Sequence, residues 1–180
     1  MVQEARLGTL EGGLYPDTAG WFVVNTKEAL WRQSAKAGRY VRFEGKDEAR
    51  FPEYGINIHV LGPGEPNCLY HAEDVQEDFL VLSGECLLLV EGEERRLRAW
   101  DFVHCPAWTE HVFVGAGDGP CVILMVGTRK PDDQVRYPVS ELADRYGASV
   151  EKETTDPREA YAGLGELEPV PYREGDLPNT

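Results

Sequence analysis

Four residues have the types and spacing to do chemistry: His71, Glu73, Glu77 and His111. The first three open a run of apolar segments, and His111 follows about forty residues after His71. In an extended segment side chains alternate between the two faces of a sheet, so His71 and Glu73, two apart, point the same way. A later strand can bring His111 to the same place. Two imidazoles and two carboxylates gathered in an apolar interior would repel one another and strand buried charge unless a divalent cation sat among them. The plainer readings are that Glu73 faces solvent in a turn and that Glu77 is a structural residue paired with Arg95, Arg96 or Arg98.

The elements that must position these groups are short. From Tyr40 onward β-rich runs alternate with turn residues every eight to twelve positions, the pattern of a sandwich or barrel. The runs are YVRFEG, INIHVLGPG, NCLYH, QEDFLVLSG, ECLLLVEG, ERRLRAWDFVHCP, TEHVFVGAG and CVILMVGT. Turns are marked at Gly62-Pro63-Gly64, Ser83-Gly84, Glu91-Gly92 and Gly115 to Gly119, where glycine can take a positive φ. An irregular arm over 1–20 precedes them, then a strand at WFVVN, then TKEALWRQSAKAGR, which reads as a short helix capped by Thr26 or as a strand from Ala29 to Arg32. After Pro131 two helices are expected, at 138–147 and at 156–163. The second has Asp156 as N-cap and Pro157 in its first turn. The acidic, Pro-rich end reads as mobile. The expected layout is an N-terminal arm and first strands over 1–39, a β-barrel over 40–130, and a C-terminal helical extension with an acidic tail over 131–180.

The chain of 180 residues, 42% hydrophobic, supports one core. A formal charge of −14 disfavours nucleic acid as a partner, and no apolar run approaches the length of a membrane span. A soluble protein retained in the cytoplasm is expected. Cys68, Cys86, Cys105 and Cys121 stand singly in apolar segments and read as buried thiols rather than a zinc or redox pair. No phosphate-cradling loop, nucleophile elbow or dinucleotide fingerprint is present. His104 and Cys105 are neighbours, so only one of them can face the interior. Phe79, Val81, Trp100, Trp108 and Phe113 are expected to wall the cavity or fill the core, and Tyr70 to flank the charged cluster.

This pattern resembles the cupin superfamily, small β-barrels that carry two motifs. The first, G-x5-H-x-H-x3,4-E-x6-G, is represented by Gly64, His71, Glu73, Glu77 and Gly84. The second, G-x5-P-x-G-x2-H-x3-N, falls on Trp100, Pro106, Trp108, His111 and Gly115, and fifteen residues separate the two. Glu73 stands where the family has a second histidine, Gly64 lies one residue too far from His71, Trp100 and Trp108 replace glycines, and Gly115 replaces the final asparagine. The resemblance covers residues 55–127 and implies an all-β fold: a single jelly-roll-like, double-stranded β-helix barrel with an N-terminal arm and short C-terminal helices. It further implies one divalent metal ion, held by His71, Glu77 and His111 with Glu73 as a chemically able substitute. Mixed nitrogen and oxygen ligation suits Fe, Mn or Zn, with Ni or Co open. The function so implied is a metal-dependent enzyme acting on a small organic molecule, by dioxygenase-type oxidation or by isomerisation. The alternatives are a non-catalytic cupin that binds a sugar or metabolite, with the metal structural, or an empty structural barrel. Pairing through sheets in this family, together with the cost of open strand edges, implies a homodimer.

Overall fold

A computed structural model describes residues 1–34, 37–165 and 167–178. In chain order the strands are β1 Leu7–Leu10, β2 Gly13–Pro16, β3 Trp31–Ser34, β4 Ala37–Arg42, β5 Tyr54–Leu61, β6 Ala72–Glu73 and β7 Glu77–Ser83. They continue as β8 Glu85–Val90, β9 Glu93–Arg98, β10 Phe102–Cys105, β11 His111–Ala116, β12 Cys121–Thr128, β13 Val135–Arg136 and β14 Glu168–Val170. Two single-turn helices, α1 Glu141–Asp144 and α2 Pro157–Ala160, lie between the last two strands.

The strands form two facing antiparallel layers. Seven run in the order β10-β7-β12-β5-β4-β3-β14 and three in the order β11-β8-β9, with small two-stranded pairs β1-β2 and β13-β6. The fold is the expected all-β jelly roll, but among the described residues the ladders do not close into one continuous barrel. The core follows from period-two alternation. Odd-numbered residues of β7, β11 and β12 (Phe79, Val81, Phe113, Ile123, Met125) face inward and meet Cys86 and Leu88 of β8. Even-numbered Val112 and Val114 of β11 pack outward with Leu89, under Tyr70 and the segment that carries Ala143 and Ala148. On the far side of the larger sheet, Trp31, Val41, Val60 and Val122 are covered by Val170, Tyr172 and Leu177.

Several local expectations are corrected. The 26–39 segment is not a helix: Thr26 to Glu28 turn, and the chain then enters β3 and β4, with residues 35 and 36 outside the described set. Trp31 explains the outcome, because its ring is fully buried and its Nε1–H donates to Thr26 O at 2.9 Å. That burial outweighs a helix propensity worth tenths of a kcal/mol per residue. The arm over 1–20 holds the β1–β2 hairpin, and the strand expected at 21–25 is reduced to a single bridge between Glu4 and Trp21. The two expected helices shrink to one turn each. Their N-caps, Ser140 and Asp156, accept the hydrogen bonds from Ala143 N and Arg158 N that define such a start. Trp100 and Trp108 neither fill the core nor wall it. They are 74% and 46% exposed, on turns at φ +76° and +70°. Those positive dihedrals explain why the motif carries glycine at these places, since an L side chain there crowds its own backbone. No helix among the described residues is long and apolar enough to cross a membrane.

Candidate metal centre

Glu77 begins β7, and alternation turns it inward with Phe79 and Val81. Its partner across β12 is Gly127, whose missing side chain leaves the space that Glu77 Cγ borders. His111 begins β11 and points inward with Phe113, whose ring lies 6.2 Å from the imidazole. His71 lies outside any long strand, but a two-bond antiparallel bridge fixes it to His111: His71 N donates to His111 O at 3.2 Å and His111 N to His71 O at 2.8 Å. The two rings stand 4.9 Å apart, centre to centre.

His71, Glu77 and His111 converge. Their donor atoms all lie within 4.8 Å of one another, and His111 Nε2 is 3.5 Å from Glu77 Oε2. Donors about 2.1 Å from a common tetrahedral ion stand about 3.4 Å apart, so a contraction of about an ångström in the widest pair would seat one. Each imidazole is already oriented for ligation. His71 Nδ1 meets Leu69 O at 2.8 Å and His111 Nδ1 meets Thr109 O at 3.0 Å. A carbonyl only accepts, so both Nδ1 atoms carry the proton and both Nε2 lone pairs face the centre. Glu73 stands outside this mutually close set. Its Oε1 is 3.7 Å from His71 Nε2, and its side chain is 36% exposed at the rim.

The electrostatics match a site built around a cation. Burial raises the Glu77 carboxyl to about 8, with Glu73 adding repulsion. Glu73 itself is raised by burial and by Asp133 and Asp74. Burial lowers His71 to about 3, helped by His111, and lowers His111 too. Among the described residues no lysine or arginine forms an ion pair with Glu73 or Glu77. Arg95 and Arg96, candidate partners for Glu77, pair instead with Glu93 and Glu85. The buried Glu77 carboxylate, without a cationic neighbour among the described residues and beside neutral imidazoles with free lone pairs, completes a donor set that fits a divalent ion.

Around the cluster, Phe79 lies 5.2 Å from the His111 ring and Tyr137 5.9 Å from His71. Cys68 Sγ lies 3.6 Å from His71 Nδ1. Tyr137 and Cys68 were not expected here. Tyr137 arrives because β13 pairs with β6, Val135 opposite Glu73 and Arg136 opposite Ala72, a contact across some sixty residues that local spacing does not signal. Tyr70 does not flank the cluster. It is buried with Leu89 and Val112 behind the smaller sheet, its hydroxyl accepting from Gly92 N at 3.3 Å. Of the neighbours His104 and Cys105, the cysteine is buried and the histidine turns outward, 2.7 Å from Asp78. Burial first, then nearby carboxylates, raises the Cys105 thiol to about 12, which keeps it protonated and inert.

Comparison with known proteins agrees with the architecture. The family described as "Cupin domain" matches residues 57–127. No curated protein sequence gives a significant match. Among solved structures, a protein of Acidithiobacillus ferrooxidans provisionally described as a sugar phosphate isomerase superposes with a TM-score of 0.52 at 24% identity, covering 74% of this chain and 77% of that one. A predicted oxalate decarboxylase of Thermotoga maritima superposes with a TM-score of 0.53 at 20% identity, covering 61% of this chain and 100% of that one. At these identities the likeness concerns the fold. Both motifs, the two-layer jelly roll and the family match agree on one stretch of the chain: residues 57–127 match the cupin domain.

Proposed function

We propose that this protein is a divalent-metal-dependent enzyme acting on a small organic molecule. The observation that carries the reading is the buried convergence of His71 Nε2, His111 Nε2 and a Glu77 oxygen with no protein cation among them. These three atoms would hold the ion and Glu73 would stand at its edge, either as a fourth donor or holding a proton at Oε1. When bound, the ion supplies Lewis acidity and a template at positions the protein leaves open. Phe79 and Tyr137 set aromatic rings beside the His111 and His71 imidazoles.

Of the two reaction classes, isomerisation is favoured by the place of Glu73. A partly exposed carboxylate next to a ligating histidine can take a proton from one carbon of a bound substrate and return it to another. The second reading, dioxygenase-type oxidation, is favoured by the two-histidine, one-carboxylate composition of the inner set, which non-haem iron oxygenases use. The fold does not choose, because one barrel carries many activities.

Elemental analysis of protein purified without chelators or a nickel column tests the centre. We expect about one divalent ion per chain, lost in His111→Ala. Equal occupancy in the variant overturns the site. Oxygen uptake by the iron-loaded protein, against solvent deuterium incorporation into substrate without oxygen uptake, separates oxidation from isomerisation. A redox-silent protein that retains a ligand without turning it over is instead a binder.

A further inference from the structure

A second set of inward-facing polar groups lies on β4 and β5, away from the metal ligands. It lines a cavity of about 410 Å³ between these strands, the loop that carries Asn67 and Cys68, and the chain around Tyr161 and Leu164. That volume lies in the range that holds a small metabolite. The register places Tyr40 beside His59 and Arg42 beside Asn57. The Tyr40 and His59 rings stack at 5.0 Å and 11°, which fixes the imidazole plane.

Two features mark this cavity as built for a ligand rather than left over. Asn57 Oδ1 and His59 Nδ1 are buried without a hydrogen-bond partner. Each such atom costs stability unless something arrives to satisfy it. Beside them, Arg42 is half exposed and only loosely tied, its Nε 3.8 Å from Glu44 Oε1. The Glu44 carboxylate is already occupied by both Arg129 nitrogens at 2.6 Å and by Phe51 N at 3.0 Å. The Arg42 guanidinium therefore has no hydrogen-bonded partner among the described residues. Burial and the charge of Arg42 hold His59 down to about 3. The ring is thus neutral and adds hydrogen-bonding capacity without charge.

We propose that this cavity is the pocket for the protein's small molecule and that it selects a small hydroxylated anion, the anionic group on Arg42 and hydroxyls on Asn57 Oδ1 and His59 Nδ1. A carboxylate and a phosphate monoester share this chemistry. The proposal rests on the reading that the fold receives a small molecule, but not on the presence of the ion. The cavity adjoins the metal centre through Cys68, which lines it and approaches His71 Nδ1. Asn57 and Glu77 also face the same interior from strands separated only by β12.

Isothermal titration of the full chain with glycerate, with glycerol 3-phosphate and with glycerol tests the pocket. At least one anion is expected to bind saturably and glycerol not to bind, and the anion that binds tells carboxylate from phosphate. Arg42→Gln is expected to weaken binding about 10- to 100-fold, the loss of a charge-assisted hydrogen bond. Asn57→Leu is expected to weaken binding while leaving the melting temperature at or above that of the unaltered protein, because it removes an unsatisfied buried oxygen. Chelator-treated protein of unaltered sequence, assayed in parallel for metal content, is expected to keep anion binding, so that failure of the metal reading and failure of this one are told apart. No saturable binding of either anion, equal binding of glycerol, or full affinity in both Arg42→Gln and Asn57→Leu overturns the proposal, as does loss of anion binding on chelator treatment.

Discussion

Loading the metal centre should expel one proton, and the structure says from where. In the metal-free protein Glu77 is raised to about 8 while His71 is lowered to about 3 and His111 also lies below its ordinary value. At pH 6.5 the empty site therefore holds a proton on Glu77 and none on the imidazole nitrogens that face the centre. Ligation needs the carboxylate, so the proton must leave. Affinity for Mn²⁺ or Zn²⁺ should rise about tenfold per pH unit well below pH 8 and then level off, about 50-fold between pH 6 and pH 8. Ordinary histidines would add up to two further protons below pH 6. The assay is titration calorimetry in buffers of different ionisation enthalpy, which yields protons released per ion. One is expected at pH 6.5, falling towards zero at pH 9, and Glu73→Gln separates any share carried by Glu73. Zero release at pH 6.5, or an affinity flat between pH 6 and pH 8, refutes the reasoning. Linkage gives a companion result for stability. The raised carboxyl contributes stability that is lost as pH climbs from about 4.5 through about 8, and the lowered His71 contributes stability that is lost as pH falls from 6.5 through about 3. Between pH 6.5 and pH 8 the Glu77 contribution dominates, so the metal-free protein should melt lower as pH rises.

The buried contact between Arg39 and Asp176, 2.8 Å apart with side chains 9% and 1% exposed, ties the segment after β14 to β4 of the larger sheet. Arg39→Ala should cost about 3 kcal/mol in denaturant unfolding, the low end for breaking a buried pair, because Asp176 keeps Arg173. A loss under about 1 kcal/mol would show that the contact is not a source of stability. Trp100→Gly should stabilise the fold by about 0.5–1 kcal/mol, since it relieves a left-handed backbone at the loss of a largely exposed ring; a lower melting temperature would show that the ring packs against a partner. Among the described residues β10 ends the larger sheet and carries exposed Phe102, two residues after exposed Trp100, so light scattering should give twice the chain mass at micromolar concentration, and a monomer mass would rule out the homodimer.

Alternation made the centre of this fold legible before any coordinates. Glu77, Phe79 and Val81, or His111 and Phe113, share a face because a strand repeats every two residues, and turn glycines bound each run. The outer parts were not legible, for two physical reasons. Trp31 sits where local preference allows a helix, and contacts distant in sequence, from Val60 and Val122 to Val170 and Tyr172, make burial in a strand decisive. Trp100 and Trp108 read as core by composition, yet their φ values place them on turns where the ring must swing outwards. At the site, parity placed Glu73 on the same side as His71 without locating it. The β6–β13 pairing holds Glu73 at the rim, outside the three-residue cluster. Asn57 and His59 lie in an apolar run that gives no hint of their unsatisfied atoms.

The two histidines are held together by backbone bonds to each other rather than by the chain that runs between them. Between them β8 is fixed by its pairing with β11 and by Cys86 and Leu88 in the core, but β9 is exposed along most of its length. The outward side chains of β9 could be exchanged while the spacing of the two imidazoles stayed the same, whereas the Glu91–Gly92 tip is tied by hydrogen bonds to Glu110 and Tyr70. A variable outer strand face over an invariant bridge is how such a scaffold could acquire new partners without relearning its chemistry.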